Sequence, residues 1–371
     1  MRIGTEHEYS INDRLFRPQP CNDRIIEKLS GRLQNEFSFH GIGISKELQK
    51  HVLEVKTEEP KEQLAEIEAL VHGGLRRLRH ALGNEYRFLG LGMHPTLRLH
   101  ETTYWDHEEG DVYREYDRLF DIRQHGWLNI QALQINIPFE NDGGLVRTYN
   151  RVRALLPYLI AVSAASPFVE GAPTDYADNR LVYYKKNQRK MPIITYEVIP
   201  ERLKSVQDYL ALQRAMYREL EREGASVLCN EWVDSRGVIV RFSRNCIEIK
   251  ALDEQECVRS DMAVTAFLLA LVRSRELDLE EDRDALLALT ECAIRRGTEG
   301  LRSELEQLYK AARGAATKDE DRYLALVGRR IADGSLSERI RNGKADMPHL
   351  LCLLERSLME NVSYEALAAT P

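Results

Sequence analysis

Apolar and polar residues alternate in four short stretches within the first two-thirds of the chain, whereas much of the remainder follows a helical period. Neighbouring side chains of a strand point to opposite sides, so every second residue shares a face. In Arg2-Ile3-Gly4-Thr5-Glu6-His7-Glu8-Tyr9 this puts Glu6 and Glu8 together. In Val52 to Glu58, Leu53 and Val55 oppose Glu54, Lys56 and Glu58; in Ala132 to Pro138, Leu133, Ile135 and Ile137 oppose Gln134 and Asn136. Cys246 to Asp253 repeats the pattern, with Ile247 and Ile249 opposite Glu248 and Lys250. Two helices are plain: Lys61 to Leu82 after Pro60, with Leu64, Ile67, Leu70, Val71, Leu75 and Leu78 at helical spacing, and Val146 to Ala165, stopped by Ser166-Pro167. From about Asp261 onward almost every window reads as helix, Met262 to Leu271 being the most apolar. No repeat, low-complexity linker or hinge divides the chain. The expectation is an α+β fold in one domain, residues 1–371, with a sheet-containing core (1–260) and a helical C-terminal part (261–371). The sheet should be curved and mainly antiparallel, with helices packed on its apolar face.

Composition narrows the function classes. Among 371 residues, 59 acidic side chains outweigh 52 basic ones, for a formal charge of −7. Without blocks of Lys and Arg, the chain lacks the electrostatic footprint of a nucleic-acid binder. No apolar run reaches the ~20 residues of a membrane helix, and Met1-Arg2-Ile3-Gly4-Thr5-Glu6 is unlike a secretory signal, so a cytoplasmic protein without a membrane partner is expected. Six scattered cysteines without a CxxC pair read as reduced structural thiols. Small-molecule substrates are the natural partners.

If the four strands share a sheet, its polar face gathers Glu6, Glu8, Glu54, Gln134, Asn136, Glu248 and Lys250. Converging carboxylates raise one another's pKa unless a cation neutralises them, and oxygen donors suit Mg²⁺ or Mn²⁺. Mg²⁺ usually completes its shell with waters and substrate phosphates, which points to nucleotide chemistry. The same alternation is also what the solvated face of an ordinary antiparallel sheet looks like. No GxxxxGK[ST] occurs and no GxGxxG follows a strand, so a P-loop or Rossmann site is disfavoured. His94, in the turn Gly90-Leu91-Gly92-Met93-His94-Pro95, either meets a ligand or caps the turn. Arg180, Lys185, Lys186 and Arg189 form a basic stretch that either covers phosphates or is solvated. Glu280 to Asp284 and Lys318 to Arg322 read as exposed helix ends and linkers.

In order along the chain, these segments resemble glutamate-cysteine ligases of the second type, the carboxylate-amine ligases, whose catalytic fold is similar to glutamine synthetase. Gly4-Thr5-Glu6-His7-Glu8-Tyr9 looks like the family's G-x-E-x-E strand, Leu53-Glu54-Val55-Lys56-Thr57 like its second carboxylate strand, and Gly92-Met93-His94-Pro95 like its G-T-H-P turn. Gln134-Ile135-Asn136-Ile137 is similar to the Q-V-N-L of plant-type members, Ser163 to Phe168 with Gly171 and Arg180 to the family's helix end and arginine loop, and Glu248 to Asp253 to E-V-R-x-x-D. The resemblance, spanning about residues 3 to 300, implies a single catalytic domain that uses ATP to turn a carboxylate into an acyl phosphate, which an amine attacks. It implies Mg²⁺ held by Glu6, Glu8, Glu54 and Glu248 with Asn136 or Gln134 as a neutral oxygen donor. Arg180 and Lys250 would stabilise the phosphoryl group, and His94 and Gln134 would contact nucleotide or substrate. Lys250 departs from the usual Arg, Met93 from Thr, and Gln134 and Asn136 from the histidines of many bacterial members, which bears on the substrate more than on the reaction class. The rival readings are a ligase with a different amine or amino-acid acceptor, a non-catalytic ATP- or metal-binding relative, and a carboxylate-metal hydrolase. An apolar helix face in the C-terminal third would serve either a homo-oligomer or packing within the chain.

Overall fold

A computed structural model describes residues 1–108, 110–195, 197–275, 277–343 and 345–368. The few remaining positions of the single-domain expectation, residues 369–371 among them, lie outside the described residues. The four alternating stretches become strands of one sheet. In chain order the strands are β1 (Gly4–Asn12), β2 (Glu36–Phe39), β3 (Ile42–Lys46), β4 (Val52–Thr57), β5 (Arg87–Leu89), β6 (Ala132–Pro138), β7 (Phe168–Val169), β8 (Ala172–Pro173), β9 (Val238–Arg241) and β10 (Cys246–Asp253). The eight-stranded sheet runs β2-β3-β4-β1-β6-β10-β9, with β5 also paired to β1, and β7-β8 form a separate hairpin. All of these ladders are antiparallel. One edge of β1 is shared: β6 pairs with Gly4 to His7, and β5 takes over at Ser10 to Asn12.

The register aligns the polar positions. Glu6 faces Lys56 on one neighbour and Gln134 on the other, Glu8 faces Glu54, and Glu248 faces Asn136. In β10 the pairing slips by one residue between Ile249 and Leu252, a β-bulge at Lys250 and Ala251. Strict alternation would put Leu252 beside Glu248 on the polar face. The bulge instead pairs Leu252 with Leu133, on the apolar side, and returns Asp253 to the polar side opposite Ala132.

Helices Leu64–Ala81 and Asp142–Ser163 pack on β4 and on β9–β10, and Val258–Arg273 contacts both of them. The first begins later than expected because Lys61 pairs with Ile3, while the Asp319 carboxylate accepts from the N–H of Leu64 (2.5 Å) and Ala65 (3.4 Å). The second begins earlier, because Asn141 caps it by accepting from Gly144 N at 2.9 Å. Met262 to Leu271 are buried on every side, under helices Arg302–Ala315 and Lys318–Asp333 as well. Packing within the chain thus accounts for that apolar helix, with no second copy required. Among the described residues, no helix is long and apolar enough to cross a membrane, and all six cysteines are free.

A second, smaller apolar cluster lies apart from the main core. It joins Tyr116, Leu119, Phe120 and Trp127 with Met216, Leu220, Leu228 and Val233. Its aromatic members stand over the polar face and give the site a wall.

Candidate active site

The structure brings Glu6, Glu8, Glu54, Gln134, Asn136, Glu248 and Lys250 onto one face, as the alternation implies. Each carboxylate is largely buried and has a specific partner. Glu8 accepts from Ala132 N at 2.8 Å and from Gln134 Nε2 at 3.0 Å. Glu6 accepts from Asn136 Nδ2 at 3.2 Å and from Arg244 Nη1 at 2.6 Å. Glu54 accepts from Ser45 Oγ at 2.7 Å and Lys56 Nζ at 3.2 Å. Glu248 accepts from Arg241 Nη1 at 2.6 Å, with Lys250 Nζ 3.7 Å from its other oxygen.

Two cavities run along this face. The outer one, about 360 Å³, is lined by Glu6, Glu36, Lys56, Asn136 and Arg244 among others. The inner one, about 210 Å³, is bounded by Glu8, Glu47, Gln134, Arg180 and Lys250 on the polar side and by Tyr113, Tyr116, Trp127, Tyr184 and Trp232. A larger cavity of about 1150 Å³ lies elsewhere, between the start of helix Asp142–Ser163 and residues 272–281. None of the sheet carboxylates lines it, so size is no guide to the chemistry here.

Electrostatics mark the same face. Burial, then Glu54 and Glu248, push the Glu6 carboxyl up to about 8. Burial, with Glu54 adding to it and Arg180 opposing, pushes Glu8 up to about 7. Glu47 is raised by burial and by the charges of Glu8 and Glu54. Burial works against ionised Glu54 too, but Lys56 and Ser45 outweigh it and hold that carboxyl down. Buried carboxylates that repel one another form the oxygen-rich donor set that suits a hard divalent ion. Among the described residues they do not stand as a preformed triad of ligating oxygens; Arg244, Lys56 and Arg241 pair with them.

Arg180 is the most telling side chain. It is 2% exposed, and among the described residues its Nε and Nη1 have no hydrogen-bond partner. Nη2 donates to Lys250 O at 2.7 Å, Nη1 lies 3.9 Å from Asp253 Oδ1, and the guanidinium sits 5.5 Å from the Tyr184 ring. Asp253 is fixed in turn by Ala165 N (2.8 Å) and Ser166 Oγ (2.7 Å), and Ser166 Oγ accepts from Arg180 N at 3.2 Å. Gly92 explains itself here, since a Cβ on it would stand 2.1 Å from the Asp253 carboxyl carbon. A buried guanidinium with donors to spare has the chemistry to receive phosphoryl or carboxylate oxygens.

His94 is not brought to the cleft. It is fully buried and lines neither cavity; its backbone is clasped by the Asn129 side chain (2.9 and 3.1 Å), and its Nδ1 accepts from Thr96 N at 3.3 Å. Burial lowers its pKa to about 4, as befits a neutral ring that holds the turn. Lys185, Lys186 and Arg189 also line neither cavity; Lys185 pairs with Glu291 and Lys186 lies over the Tyr183 ring. Glu47, Arg241, Arg244, Asp253 and the aromatic wall were missed in the sequence, although Asp253 stood inside a quoted motif.

Comparison with known proteins agrees with this fold. The family model described as glutamate-cysteine ligase family 2 matches residues 2–346. A protein of Archaeoglobus fulgidus described as uncharacterized is 49% identical over 91% of this chain and 92% of its own length. The chloroplastic glutamate–cysteine ligase of Arabidopsis thaliana is 29% identical over 194 residues, 48% of this chain, and the match takes in only 37% of that enzyme. The crystal structure of glutamate–cysteine ligase from Francisella tularensis in complex with AMP superposes with a TM-score of 0.67, over 97% of this chain and 88% of that one. At 14% identity, that likeness is one of fold.

Proposed function

The chain belongs to glutamate-cysteine ligase family 2, and from that premise we propose that it is an ATP- and Mg²⁺-dependent carboxylate-amine ligase. Its donor is a carboxylate, best supported as one of glutamate by the names of its relatives, and as the γ-carboxylate by the family resemblance. ATP would phosphorylate that carboxylate, and an amine such as that of cysteine would displace the phosphate to form an amide. The observation that carries this reading is the buried Arg180, which lines the inner chamber beside Glu8 and Lys250 and keeps two guanidinium nitrogens without a hydrogen-bond partner among the described residues.

Glu6, Glu8, Glu54 and Glu248, with Asn136 as a neutral oxygen donor, would hold the metal. Bound Mg²⁺ would supply charge neutralisation for the phosphates. Phosphoryl transfer depends mainly on positioning and on charge stabilisation aimed where negative charge develops. Arg180 and Lys250 provide the cations at the inner end, and the Asp253–Ser166 pair keeps Arg180 in place. Gln134 holds Glu8 and lines the chamber, next to the reacting carboxylate in this reading. The rings of Tyr116, Trp127 and Trp232 wall the chamber, and an acyl phosphate shielded by them is protected from hydrolysis.

The aromatic wall favours a second reading of the acceptor, an amine bulkier or more apolar than cysteine. Phosphate release from ATP and Mg²⁺ should require both a carboxylate donor and an amine, with the product identified by mass spectrometry. Glu248→Ala should abolish it. ATP binding without phosphate release across the donor and acceptor panel would favour a non-catalytic relative, and product formation without ATP would favour a hydrolase-type activity.

A further inference from the structure

The opposite face of β1 carries a second polar group that the ligase chemistry does not use. His7 points away from Glu6 and Glu8 into the interior, where it meets Glu254, just past β10, and Asp261, in the first turn of helix Val258–Arg273. All three are 0% exposed. His7 Nδ1 lies 3.2 Å from Asp261 Oδ2 and 3.5 Å from Glu254 Oε1. Among the described residues, this is the one set of three His, Cys or acidic residues whose ligating atoms lie within 4.8 Å of one another.

Among the described residues, none of those three atoms makes a well-formed hydrogen bond, and neither does the buried Tyr9 hydroxyl next to Glu254. The other atom of each group is occupied. His7 Nε2 meets Thr5 Oγ1 at 2.9 Å, Glu254 Oε2 accepts from Glu8 N at 3.2 Å, and Asp261 Oδ1 accepts from Gln255 N at 3.2 Å. One ring nitrogen and two carboxylate oxygens thus lie within 4.8 Å of one another, in a place from which water is excluded. A buried set of this kind needs protons or a cation to neutralise it. A proton shared from Nδ1 would draw an oxygen in to about 2.8 Å along the N–H direction. The observed contacts are longer. Donors about 2.1 Å from a tetrahedral ion stand about 3.4 Å apart, which matches both distances.

We propose that His7, Glu254 and Asp261 bind one divalent ion of the zinc class behind the sheet, with Tyr9 Oη or a water as fourth donor. A neutral imidazole and two carboxylates balance its charge. The ion would tie β1 to the exit of β10 and to the helix that follows. Through the Glu254–Glu8 N contact it would also steady the strand that carries the cleft glutamates. This site stands apart from the ligase reading, since none of its ligands lines either cavity.

The test is elemental analysis of the full chain, purified without chelators. About one equivalent of zinc-class metal per chain is expected, retained through dialysis against EDTA and released to a chromogenic chelator on unfolding. Glu248→Ala should keep it, and Glu254→Gln and Asp261→Asn should lose it. X-ray absorption on the wild-type protein guards against variants that fail to fold, with a shell of nitrogen and oxygen at about 2.0–2.1 Å and one imidazole expected. Wild-type protein with substoichiometric metal, a metal lost in Glu248→Ala but kept in Asp261→Asn, or a sulfur-containing shell would each overturn the proposal.

Discussion

The two cavities along the polar face share a row of glutamates but differ in how their charges are met. In the outer one, opposite charges close on each other: Arg244 on Glu6, and Lys56 between Glu54 and Glu36. In the inner one, Arg180 keeps two donor nitrogens unpaired, and Glu47 is pushed toward its neutral form. A self-neutralised pocket yields its contacts only to a competing ion. A pocket with idle buried donors is ready for a ligand whose oxygens they lack. In the proposed function, the inner chamber would recognise the reacting anion, and the outer one would exchange protein cations for metal and phosphate.

The sharpest way to break that division is Arg180→Ala. Loss of a preorganised donor to developing charge should lower kcat by about 10²–10³-fold, measured by phosphate release, with circular dichroism showing an intact fold. A loss under tenfold would move the anion receptor elsewhere. Gly92→Ala comes next. Its Cβ would collide with the Asp253 carboxyl that faces Arg180, so overpacking should cost about 1–3 kcal/mol in denaturant titration and lower kcat as well.

The pH dependence sharpens the comparison from the metal side. Glu6 and Glu8, raised to about 8 and about 7 in the folded state, deprotonate near 4.3 when unfolded. Their contribution to stability is therefore present below about pH 4.3 and is lost as the pH climbs through 7 and 8. Without divalent ions this part of Tm should fall across that window. Mg²⁺ should then raise Tm more at pH 8.5 than at pH 6, in thermal melts at fixed ionic strength. An equal gain at both values would show that these two carboxylates do not bind the ion. The smallest effect belongs to Lys186→Ala, expected within about 0.5 kcal/mol of wild type in stability and unchanged in kcat, because Lys186 reaches neither cavity.

Much of the polar face was legible in the chain, because period-two alternation needs no knowledge of partners. Glu6, Glu8, Glu54, Gln134, Asn136, Glu248 and Lys250 all fall where it put them. What it cannot supply is which strand lies beside which, and so the cations that hold the carboxylates, Arg241 and Arg244, went unnoticed in β9 and the turn after it. Nor does alternation register a bulge, which is why Asp253 stood in a recognised motif without a role. His94 was ambiguous for another reason: a turn histidine looks the same whether it faces a cleft or the interior, and only the Asn129 clasp decides. The buried His7 group was hidden by its spacing, since its partners follow about 250 positions later.

The slip in β10 has a consequence for anyone who edits this chain. Upstream of Lys250 and Ala251 the strand is read in one frame, and downstream in the other. Deleting either residue would remove the extra position and restore unbroken alternation, with Leu252 still paired to Leu133 on the apolar side and Asp253 still opposite Ala132. A one-residue deletion elsewhere inside the strand would instead turn everything on one side of it to the wrong face. Gaps are ordinarily cheapest in loops and graded by size. Here two adjacent positions inside a strand should tolerate a gap that their neighbours do not.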